Sequence, residues 1–103
     1  MMRGLAVLAA AIFAIAAPLA AQPPAAADPL VRENATRKLT GHVWAIPDFR
    51  TPLVPNVGIV RGTKGTLVID TGLGDRNGEI ILREVAKLGP PTAELYLVTT
   101  HVH

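Results

Sequence analysis

The stretch NVGIVRGTKGTLVIDTG, Asn56 to Gly72, leaves the chain few conformations. Two apolar runs, Val57 with Ile59-Val60 and Leu67-Val68-Ile69, flank the break Gly62-Thr63-Lys64-Gly65. Glycines at both ends of a short polar break supply the positive backbone angles of a tight turn, so the stretch predicts an antiparallel hairpin. The second run is continuous rather than alternating, the pattern of a strand covered on both faces. A hairpin alone is marginal in water, so its cover must come from elsewhere.

The next segment, DRNGEIILREVAKLGPP, predicts a helix. Ile80, Ile81, Val85 and Leu88 fall on one side, Asp75 or Asn77 is placed to cap the start, and Glu79 precedes Arg83 at the supportive i,i+4 spacing. Gly89 and Pro90-Pro91 end it. AELYLVTT then reads as a strand, and LTGHVWAIP, ahead of the loop DFRTPLVP, as an earlier one. The order of strand, hairpin, helix and strand is an α/β pattern of α+β layers, with one helix layer and nothing to cover the second sheet face.

Upstream, Met1-Met2-Arg3, the apolar run Leu5 to Ala17 and Pro18 have the layout of a secretory signal. Small residues at Ala25-Ala26-Ala27 place the mature start near Asp28. The expected organisation is a signal peptide over 1–27, a proline-containing linker over 28–38 and a folded part over 39–103. Export to the periplasm or medium follows, with no stable membrane association once the signal is removed. A retained anchor is the competing reading, but an alanine-rich run is poorly suited to a bilayer core of ~30 Å.

Half of the residues are hydrophobic and 17% are charged, so the mature part is globular rather than disordered. The formal charge of +2 is spread along the chain without a basic stripe, which argues against a nucleic-acid partner. There are no cysteines, so no disulfide compensates for a small core. A mature chain of this size buries only ~60% of its unfolded surface, which makes it either part of something larger or one of a pair.

Chemistry concentrates at LYLVTTHVH. In an extended segment residues i and i+2 share a face, so His101 and His103 can turn both imidazoles to one point. Neutral imidazole is the commonest biological metal ligand, but a catalytic zinc takes three protein ligands and a water, so the pair alone is incomplete. His42 reads as an ordinary strand residue. For Asp70, at the end of the second hairpin strand, two roles stay open: a turn aspartate capping its own loop before Gly72, and a carboxylate supporting a site.

The hairpin ending in Asp70-Thr71-Gly72, the single helix and the strand opening on His101-Val102-His103 together resemble the metallo-β-lactamase superfamily, over residues 39–103. The resemblance implies the first half of an αββα sandwich, incomplete here, as an amino-terminal fragment ending inside the His-x-His-x-Asp-His motif. It implies a zinc-dependent hydrolase in which one or two Zn²⁺ ions activate water against an ester, thioester, lactam or phosphodiester of a small-molecule substrate. His101 and His103 would be two of the three ligands of the first ion, and Asp70 would lie beneath the site and orient them. The motif's Asp and third His, the downstream His and the bridging aspartate are not among these residues, so the chain by itself is expected to hold zinc weakly or not at all and to be inactive.

Two other readings use the same residues. LVIDTGLG is similar to the active-site strand of retropepsin-like aspartic proteases, which build one site from two chains, each donating an aspartate such as Asp70. Leu73 stands where those enzymes carry Ala or Ser, IILREV reads as helix, and the histidine pair goes unused. The remaining reading is a small exported, non-enzymatic metal-binding module.

Overall fold

A computed structural model describes residues 27–102. The signal peptide expected over 1–27 lies, apart from Ala27, outside the described residues, and so does His103. Among the described residues no helix is long and apolar enough to cross a membrane.

Six elements follow one another: β1 (Arg37–Lys38), β2 (Val43–Ile46), β3 (Val57–Arg61), β4 (Gly65–Ile69), α1 (Gly74–Ala86) and β5 (Glu94–Val98). The five strands form one mixed sheet in the order β1-β2-β3-β4-β5, with a single helix, an α+β arrangement. The first three pairings are antiparallel. The fourth is parallel, because α1 carries the chain back to the starting end of β4 before β5 begins.

The hairpin forms where the glycine spacing places it, with Gly62 N donating to Gly65 O at 2.8 Å across the turn. Its register pairs Ile59 with Val68 and Gly58 with Ile69. Side chains alternate across a strand, so Ile46, Val57, Ile59 and Val68 fall on one face. Ile80 and Ile81 of α1, with Val31 and Val54, complete the buried cluster there. Burying side chains of this size contributes about 1.5–3 kcal/mol each. The opposite face carries Val43, Ala45, Gly58, Val60, Leu67 and Ile69, all partly exposed. Among the described residues the continuous run in β4 is therefore fully covered only on the side that faces α1, and its other side is partly exposed.

Strand β5 stands at the edge of the sheet. Leu95, Tyr96, Leu97 and Val98 are between 48% and 57% exposed, so neither of its faces has a full cover among the described residues.

The start of α1 departs from the expected capping. Leu73 occupies the N-cap position, with no side-chain cap hydrogen bond. Asn77 is buried instead: its Nδ2 donates to Leu73 O at 2.7 Å and Pro29 O at 3.0 Å, and its Oδ1 accepts from Val31 N at 2.7 Å. Glu84, 1% exposed, accepts from Asn34 N at 2.8 Å and Thr36 Oγ1 at 3.1 Å and is paired with Lys87. Arg83 bonds Glu33 at 2.6 Å rather than the expected Glu79. Residues 28–36, read from composition as linker, thus lie along α1, and Arg37–Lys38 form β1. The hydrogen bonds between α1 and this segment involve backbone groups of Pro29, Val31 and Asn34 and side chains of Glu33, Asn34 and Thr36.

Candidate functional site

Because β4 and β5 run in the same direction, their carboxyl ends finish side by side. In open α/β sheets such an edge is where ligands are held. Asp70 follows β4 directly, and Thr99, Thr100 and His101 follow β5. The ladder continues one step beyond the strands, with Asp70 N donating to Val98 O at 2.9 Å.

At that point Asp70 turns. Its φ of +61° is the left-handed conformation, which costs a non-glycine residue of order 1–3 kcal/mol and which aspartate tolerates better than most. Gly72 and Gly74 follow with φ of +82° and +77°, so the chain reverses sharply into α1. A Cβ on Gly72 would meet Asn77 Nδ2 at 3.0 Å, which ties the turn to the buried amide.

The turn brings the Asp70 carboxylate against Thr100. Oδ1 accepts from Thr100 N at 2.8 Å and Oδ2 from Thr100 Oγ1 at 2.6 Å. Thr100 Oγ1 is in turn 2.8 Å from His101 Nδ1. Asp70, Thr100 and His101 therefore form one continuous hydrogen-bonded chain from a nearly buried carboxylate to an exposed imidazole. The Thr100 hydroxyl and then the Thr100 amide hold the Asp70 carboxyl below the ordinary carboxylate range, against the opposing effect of burial and with the His101 ring adding to the lowering.

A cleft of about 160 Å³ opens at this end of the sheet. Asp70, Gly72, Thr99 and His101 line it, together with Leu53 from the loop between β2 and β3. That loop is strained: Phe49, Arg50 and Leu53 have φ of +50°, +57° and +65°. The cleft is smaller than the ~300 Å³ of an ordinary drug-sized pocket and suits an ion with its water, or one small polar group.

Of the expected site residues, Asp70 and His101 are brought to the same cleft, and His103 lies outside the described residues. His42 sits just ahead of β2, exposed, its amide donating to Thr40 Oγ1 at 3.3 Å. Among the described residues no three His, Cys, Asp or Glu side chains stand together in a way that could hold a metal ion. The donor chemistry at the cleft still suits a borderline cation such as zinc: one imidazole present, a second two positions on in the sequence, and a carboxylate set behind the first. Thr100 is the residue that sequence reasoning passed over, although its place between an apolar strand and a histidine was visible.

No family model, curated protein or solved structure matches this chain.

Proposed function

We propose that the chain supplies the first part of the active site of an exported, zinc-dependent hydrolase of metallo-β-lactamase type, with the sheet and α1 as the first half of an αββα sandwich. The observation that carries the reading is the convergence of Asp70 and His101 at the carboxyl ends of two parallel strands, joined through Thr100.

In this reading His101 and His103 hold the ion, and the further ligands come from residues outside these 103. The ion, when bound, supplies Lewis acidity that activates water for attack on an ester, thioester, lactam or phosphodiester of a small-molecule substrate. Asp70 contributes by fixing Thr100 and, through it, the ring of His101. The cleft walls contributed by Leu53, Gly72 and Thr99 shape the entrance. The partly exposed apolar face opposite α1 supports the sandwich, since it has the composition of an inner layer.

The test is a calorimetric zinc titration of the 103-residue chain alongside His101→Ala and His103→Ala. The expected result is weak binding to the parent chain, reduced roughly tenfold or more in each variant, and no turnover of a β-lactam or ester. Identical zinc binding by all three chains would remove the reading.

A further inference from the structure

The three-residue chain at the cleft has a direction, and donor and acceptor accounting fixes it. A threonine hydroxyl has one proton to donate, while an ionised carboxylate can only accept. Thr100 Oγ1 lies 2.6 Å from Asp70 Oδ2, so its proton belongs to that bond. The carboxylate cannot rotate away, because Asp70 Oδ1 is held by the Thr100 amide at 2.8 Å. What Thr100 Oγ1 offers its other neighbour is a lone pair. His101 Nδ1, 2.8 Å away, makes a bond there only by donating a proton of its own. A ring turned through half a circle would present Cδ2 in place of Nδ1 and lose the contact.

We propose that Thr100 is the positioning residue that holds neutral His101 as its Nδ1–H tautomer, so that the lone pair resides on Nε2. Asp70 sets the polarity from one bond further back. The device needs all three groups: a carboxylate that only accepts, a hydroxyl that does both, and a ring with a nitrogen on the near side. A histidine's tautomer is set by the bond its other nitrogen makes, and here that partner is a hydroxyl whose own direction has already been decided. The use of the Nε2 lone pair as a metal ligand rests on the hydrolase reading; the tautomer does not.

The experiment is a long-range ¹H–¹⁵N correlation spectrum of the ¹⁵N-labelled 103-residue chain, with chelator present and at a pH where the ring is neutral. His101 is assigned by the signals lost in His101→Gln. The expected spectrum has a pyrrole-type shift for Nδ1 and a pyridine-type shift for Nε2. Thr100→Ser keeps that pattern, and Thr100→Val shifts both nitrogens toward averaged values. Asp70→Asn reverses the pattern: its Oδ1 must still face the Thr100 amide, so its Nδ2 donates to Thr100 Oγ1, whose proton then turns to His101 Nδ1. A parent chain with Nε2 protonated, or with both nitrogens averaged, overturns the proposal whether or not the variants fold. A pattern that is unmoved by both Thr100→Val and Asp70→Asn also overturns it. Since no zinc is present, this outcome and that of the zinc titration are independent.

Discussion

Asn77, in the second turn of α1, accepts the amide hydrogen of Val31 at 2.7 Å while having no solvent exposure at all. The two residues are 46 positions apart, so one side chain ties the segment ahead of the sheet to the helix that follows β4.

Asn77→Ala removes one acceptor and two donor bonds at once and leaves the Val31 amide buried without a partner. Each such group costs about 1–3 kcal/mol, so a loss of roughly 2–4 kcal/mol is expected. Urea unfolding reads it as a lower midpoint. A midpoint within error of the parent would mean that the segment over 28–36 does not dock as described.

Glu84 gives the helix a second, charged anchor and makes stability depend on pH. Burial pushes its carboxyl up, but Lys87, the Thr36 hydroxyl and the Asn34 amide together hold it below the ordinary glutamate value. A carboxyl whose folded pKa is depressed binds its proton more readily in the unfolded chain, so its stabilisation is present above the unfolded pKa and lost as pH falls. Stability should therefore decline below roughly pH 4. Glu84→Gln should cost about 1–3 kcal/mol at neutral pH and lose less than the parent on acidification. Parallel stability curves for the two chains from neutral to acid pH would contradict this.

These two anchors also show where sequence reading stops. The hairpin was legible because Gly62 and Gly65 bracket a polar break between apolar runs, and α1 because Ile80 and Ile81 recur on one side before Gly89-Pro90. Both signals are local. Asn77 and Glu84 occupy the same buried side of the helix as Ile80 and Ile81, yet in the sequence they look like a cap and a surface charge. Among their partners are the backbone amides of Val31 and Asn34, and a backbone amide leaves no mark on the amino-acid pattern. The same applies at the cleft. Asp70 and His101 stood out as residue types, whereas Thr100 acquires its meaning only once the parallel pairing of β4 with β5 sets it against Asp70.

The edge strand supports a prediction about association rather than folding. Leu97 is 57% exposed on β5, and no strand among the described residues pairs with the outer side of β5. An apolar edge of this kind templates pairing with other chains, and a lysine on it discourages that. Leu97→Lys should leave the unfolding free energy read by urea within about 0.5 kcal/mol of the parent and reduce light scattering at high concentration. Equal scattering from both chains would show that association does not use this edge.

The Asp70 carboxylate, which sets the polarity at the cleft, has its own pH dependence. Asp70 is held below the ordinary aspartate value of about 3.9 first by the Thr100 hydroxyl and then by the Thr100 amide. Thr100→Val deletes the first contribution and keeps the second, so the Asp70 carboxyl should titrate higher than in the parent while remaining below an unperturbed aspartate. The sign for stability is that of Glu84: the contribution is present above the unfolded pKa and fades as pH falls through the folded one, so the variant loses most relative to the parent at neutral pH and least in acid. Carbon-13 shifts of the Asp70 side-chain carboxyl measure both chains directly. If the two titration curves superimpose, the Thr100 hydroxyl does not donate to Asp70, and the polarity assigned to the His101 contact falls with it.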